Sequence, residues 1–90
     1  MRWPFTDPPN VVTFTVRQIM DRARPILLVC HDEEGWQVLT GDEVRMEDAL
    51  LVALHSVAEL DSSLYELADL PLGWNARRDH PGAPWIREQG

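Results

Sequence analysis

The chain has no lysine; all eight of its basic residues are arginine. It has one cysteine, Cys30. No internal disulfide can form, and no zinc-finger set of thiolates exists. A lone thiol fits a reducing compartment, so a cytoplasmic location is expected. Long hydrophobic runs are missing too. The longest wholly apolar stretches are residues 26–30 and 49–54. Crossing a bilayer takes about 20 residues, so no membrane association is expected. Pro4, Asp7, Pro8, Pro9 and Asn10 break up residues 1–12, so no secretory signal is expected there. Neither Gly-x-Ser-x-Gly, nor His-Glu-x-x-His, nor a glycine-rich phosphate loop occurs. With no catalytic constellation, the expectation is a non-enzymatic protein without a cofactor.

What the chain does have is negative charge. Its 90 residues carry fifteen acids against eight arginines, a formal net charge of −7. That balance argues against nucleic acid as a partner, because tracking phosphates needs a basic patch. The charge is unevenly placed. Residues 1–30 carry +2, residues 31–70 carry −10 and residues 71–90 carry +1. A block of that sign steers basic protein surfaces toward it. It also serves simply to keep a small domain soluble. The size allows one domain, 1–90, burying somewhat over about 60% of its unfolded surface. At 44% hydrophobic residues the chain is too apolar for intrinsic disorder.

Residues 1–10 read as an irregular arm, with Trp3 and Phe5 available to pin it to the body. Val11-Val12-Thr13-Phe14 has strand character. Thr15 with Gln18 fits a capping box opening a short helix that stops before Pro25. Residues 26–30 read as a buried strand, residues 31–35 as a polar turn, and residues 36–40 as the return strand of a hairpin. Leu50, Leu51, Leu54, Val57 and Ala58 form an apolar stripe that predicts one helix over 47–60. Asp61, or Ser63 with Glu66, caps a second helix that ends at Pro71. Trp74-Asn75-Ala76-Arg77 suggests a last strand, and residues 81–90 an irregular tail with Trp85 and Ile86 able to dock on the body. The order β-α-β-β-α-α-β implies an α+β domain, a small and largely antiparallel sheet with helices on one face.

Several segments form a recognisable set: His31-Asp32 with Gly35-Trp36-Gln37, then Leu67-Ala68-Asp69-Leu70-Pro71-Leu72-Gly73-Trp74, then Pro84-Trp85. The pattern resembles a group of short bacterial proteins of unknown function. It is more distantly similar to immunity-protein-like domains with a Gly-Trp and a Gly-Asp pair in a hairpin, here Gly35-Trp36 and Gly41-Asp42. The resemblance spans roughly residues 12–86. The close group brings no activity with it; the likeness to immunity-protein-like domains implies binding and neutralising a toxin.

The remaining candidates are individual side chains. His31 and Asp32 offer metal ligands if His55 or His80 joins them, which would make a small metal-dependent or acid–base enzyme. The plainer explanation is a solvated turn. Cys30 beside His31 suggests a nucleophile and a base, but neighbouring strand residues face opposite sides, and a structural cysteine is the simpler account. Candidate partner-binding residues are Asp32, Glu33, Glu34, Trp36, Asp42, Glu43, Trp74, Arg78 and Trp85. The acids supply charge, and tryptophan is enriched at binding hot spots. Core packing is the alternative for the tryptophans, and pairing with an acid of the middle block is the alternative for Arg78. The expected role is an acidic binding or regulatory domain, in its sharper form an immunity protein covering a basic toxin. A ligand-free homodimer is a further alternative.

Overall fold

The structure, a computed structural model, describes residues 2–90. Its strands are Val12–Val16 (β1), Leu28–Asp32 (β2), Gly35–Leu39 (β3), Ala49–Ala53 (β4), Trp74–Arg77 (β5) and Ile86–Gln89 (β6). They form one sheet in the order β4-β1-β3-β2-β5-β6. Every neighbouring pair is antiparallel except β1 with β3. Two short helices, Arg17–Met20 (α1) and Leu54–Leu60 (α2), and two 3₁₀ segments, Met46–Asp48 and Ser62–Leu67, complete the chain. The fold is α+β, as the pattern of elements implies.

The β2–β3 hairpin is locally encoded. Glu33 and Glu34 make its two-residue turn, and Asp32 Oδ1 accepts the Glu34 N–H at 2.8 Å. Gly35 leaves the turn at φ +112°, a conformation that favours glycine. The register sets Val29 opposite Val38 and His31 opposite Trp36. These side chains share one face, because strand side chains alternate. Leu54, Val57 and Ala58 of α2, Leu64 and Leu67 of the 3₁₀ segment, and Phe5 of the arm pack against that face to make the core. Phe5 meets Trp36 edge to face at 5.3 Å between centroids. Trp36 Nε1–H donates to Asp7 Oδ2 at 2.8 Å. The arm is therefore fastened to the body.

Five expectations are corrected. The helix predicted over 47–60 is only α2, and Ala49–Ala53 is a strand paired along the whole of β1. Lying one strand in from the edge, β1 has two rows of backbone donors and acceptors to satisfy. A helix over 47–60 would leave one edge bare, so pairing overrides the helical period. The capping box at Thr15 does not form. Val16 is the N-cap without a side-chain bond, and the buried Thr15 hydroxyl donates to the Val38 carbonyl at 2.8 Å. The second helix is a 3₁₀ segment, although Asp61 does accept the Ser63 N–H. His31 and Asp32 belong to β2, not to the turn, because β5 pairs with β2 through His31. The tail is not irregular: Ile86–Gln89 pairs with β5. Its residues are all exposed, so no hydrophobic alternation announces it.

Candidate functional site

β1 places its polar and apolar residues the wrong way round for a strand on a core. Thr13 and Thr15 are fully buried, whereas Val12 is 60% exposed and Phe14 is only half-buried. The threonines survive inside because their hydroxyls bond to carbonyls, Thr13 to Val11 at 3.3 Å and Thr15 to Val38 at 2.8 Å. Val12 and Phe14 are thereby turned onto the face away from the helices, while Val16 at the strand's end is buried. Leu51 of β4 lies directly across from Phe14 and is 72% exposed. Val12, Phe14, Glu34, Gln37 and Leu51 line a groove of about 310 Å³ on this face. Cys30, on the same face two strands away, lines a second hollow of about 440 Å³ with Asp32, Gln37 and Asn75.

The acids of residues 31–70 do not make one face. Asp32, Glu33 and Glu34 lie at one end of the β2–β3 hairpin, and Asp42 and Glu43 follow its other end. Five-residue strands separate the two groups by about 15 Å. Arginine also neutralises the block unevenly. Arg24 pairs with Asp42, Arg45 with Glu47, Arg17 with Asp48, Arg78 with Asp61 and Arg87 with Asp69. Among the described residues of this block, Asp32, Glu33, Glu34, Glu43 and Glu66 make no ion pair. The densest uncompensated charge is therefore the hairpin turn, where Glu33 and Glu34 are exposed and Glu34 forms part of the groove wall.

Of the candidate partner-binding residues, two are removed by burial. Trp36 is 3% exposed and Arg78 is 5% exposed. Arg78 fastens the end of β5. Its Nε donates to the Ile26 carbonyl at 3.0 Å, Nη1 to Ser63 Oγ at 2.8 Å and Nη2 to Asp61 at 2.5 Å. Its guanidinium also lies 4.2 Å from the Trp85 ring centre, a cation–π contact. Burial pushes the Asp61 carboxyl up, but hydrogen bonds from Ser63 and the Arg78 guanidinium outweigh it and hold the group below its ordinary value. Trp74 and Trp85 are half-buried and pack on the core, so their first role is structural. Asp32, Glu33, Glu34, Asp42 and Glu43 keep surface access.

The four candidate metal ligands are not brought together. The His31 ring stacks on Trp36 at 3.8 Å, and its Nδ1 lies 2.7 Å from the Leu70 carbonyl. A carbonyl only accepts, so Nδ1 carries the hydrogen. Asp32 accepts from the Glu34 N–H and from Gln37. His55 sits on α2 beside Glu59 at 3.3 Å, and His80 lies in the β5–β6 loop against the Pro81 carbonyl. Among the described residues no group of three or more His, Cys, Asp or Glu side chains is placed to hold a metal ion. Cys30 lies on the open face and His31 on the core face, so they form no dyad. Burial, and then the Asp32 carboxylate, push the Cys30 thiol up, away from a reactive thiolate.

Val12, Phe14 and Leu51 were absent from the sequence-based candidates. Val-Thr-Phe-Thr-Val does alternate, but alternation alone does not say which set faces inward. No family model, curated protein or solved structure matches the chain. Among the described residues no helix is long and apolar enough to cross a membrane.

Proposed function

We propose that this protein is a non-enzymatic binding domain whose open sheet face receives a basic protein surface. The observation that carries this reading is the inverted β1: it spends two core positions on threonine and leaves Val12 and Phe14 outside, beside exposed Leu51. Exposed apolar surface grouped beside uncompensated acids is the usual composition of a docking site, an apolar centre with a charged rim. Glu33 and Glu34 supply the rim, and their sign selects a basic partner. The sharper form rests on the resemblance to immunity-protein-like domains: the partner is a basic, nuclease-like toxin, and docking neutralises it.

The test is a pull-down on the immobilised protein from a lysate of its own cells at low salt. A basic protein is expected, released as salt rises through about 0.5 M, where charges are screened within a few ångströms. Reversing the rim charge with Glu33→Arg and Glu34→Arg is expected to slow association about tenfold or more, since rim charges act mainly on encounter. If no basic protein is captured, or if capture ignores both substitutions, the reading fails.

A further inference from the structure

The two edges of the sheet differ in kind. β6 ends one side with Ile86-Arg87-Glu88-Gln89, whose Arg87 and Glu88 form ion pairs with Asp69 and Arg77. Charges of that sort discourage strand addition. β4 ends the other side with Ala49-Leu50-Leu51-Val52-Ala53, which has no charge and no proline. The Leu54 N–H donates to the Val11 carbonyl at 2.9 Å, and residues 11 and 54 are opposite in the β1–β4 register. In an antiparallel ladder the bonded pairs alternate, so Leu50 and Val52 also bond inward to β1. The backbone groups of Ala49, Leu51 and Ala53 then point out of the sheet. The Ala49 N–H is already used by the Met46 carbonyl. The outward-facing Leu51 N–H and C=O, the Ala53 N–H and the Ala49 C=O remain.

We propose that Ala49–Ala53 pairs antiparallel with the same strand of a second copy of this chain, across a two-fold axis at Leu51. The free groups are self-complementary in that register. Leu51 exchanges both of its bonds with Leu51 of the second copy. Each Ala53 N–H meets the opposing Ala49 C=O, making four hydrogen bonds in all. Every facing pair is apolar: Ala49 with Ala53, Leu50 with Val52, and Leu51 with itself. Charge selects the same occupant and the same direction. The strand offers a basic or an acidic peptide nothing to pair with. Antiparallel pairing also keeps Glu43, the acid of residues 42–48 that no arginine pairs, away from its counterpart in the second copy, whereas parallel pairing would bring the two together. Two five-residue strands with exposed Leu51, Met46 and Val12 around them cover less than the about 800 Å² per partner of a standard interface, so the dimer belongs to the weak, concentration-dependent class.

The pairing extends the sheet through the axis and leaves both grooves on one continuous face. It does not depend on the basic-partner reading. A monomer that still captures a basic protein overturns only the dimer, and a dimer that captures none overturns only that reading.

Sedimentation velocity on the intact protein, from a few micromolar to several hundred micromolar, reads the association directly. A concentration-dependent dimer is expected. It should strengthen as salt rises, because two chains of −7 repel less when screened, opposite to the salt response of a basic partner. Leu51→Lys sets two like charges face to face and is expected to weaken the dimer at least tenfold, with circular dichroism unchanged. In a Cys30→Ser background, Leu51→Cys places two thiols on a bonded pair with Cα atoms about 5.5 Å apart, within disulfide range, so mild oxidation should cross-link them. Leu72→Cys, also exposed but outside β4, should not cross-link. A monomer throughout the concentration range, or a dimer indifferent to Leu51→Lys, overturns the proposal.

Discussion

Arg78 and Asp61 join three segments of the chain. The arginine reaches the strand entry at Ile26, the 3₁₀ segment at Ser63 and the carboxylate of Asp61 while almost fully buried. Removing it strands a buried carbonyl and a partly buried carboxylate. Arg78→Ala is therefore expected to cost about 3 kcal/mol in urea unfolding. Arg78→Lys should recover only part of that, since one ammonium cannot copy a three-way fork. The same pair sets an acid limit. The folded carboxyl of Asp61 is held below its unfolded value, so its contribution is full above about pH 4. That contribution is lost as pH falls through the lower, folded value. Thermal unfolding followed from pH 6 downward should show the loss, and Asp61→Asn should flatten that part of the curve. Cys30, whose thiol is pushed up by burial, should react with iodoacetamide at neutral pH more slowly than the unfolded chain does.

At the scale of elements, β4 separates what the sequence disclosed from what it concealed. The hairpin was legible, because its turn residues, apolar strands and Gly35 all agree. So was β5, with its alternation, and so was the pairing of Arg78 with an acid of the middle block. The residues 49–60 were not, because Leu50, Leu51, Leu54, Val57 and Ala58 satisfy a helical period, and only the unmet edge of β1 makes the first half a strand. The difference can be measured. A continuous helix would bury Leu51 and Leu54 alike; here Leu54 is 1% exposed and Leu51 72%. Leu54→Ala is expected to cost about 2–5 kcal/mol, and Leu51→Ala within about 0.5 kcal/mol, measured by urea unfolding of dilute protein. β6 was concealed for another reason. It buries no side chain, and its place comes from backbone pairing to β5 and the ion pairs of Arg87 and Glu88. The candidate site was legible only in its charge. Glu33 and Glu34 were visible as acids, but their apolar neighbours Val12, Phe14 and Leu51 become a surface only once β1 is known to face outward.

At the scale of the whole molecule, the net charge of −7 resolves into local pairs and a few uncompensated ends. Six of the eight arginines hold acids, which concentrates the remaining negative charge at places such as the hairpin turn. The arm is part of the body on the same scale. Phe5 is buried and Asp7 holds Trp36, so Phe5→Ala is expected to cost about 3–5 kcal/mol, with a red shift of tryptophan emission on milder heating than in the parent. The place of β1 in the sheet also has a consequence for how the chain is made. Of these six strands β1 is synthesised before the others, yet both of its neighbours, β3 and β4, follow it in the chain. The β2–β3 hairpin can close on its own within microseconds of emerging. β1 then has one berth along β3, and its other side stays open until residue 53 has cleared the exit tunnel. A nascent chain halted before that point carries β1 as a bare edge of its unfinished sheet, which makes the stretch between residues 40 and 53 the window in which a newborn chain is most exposed to its neighbours on the same message.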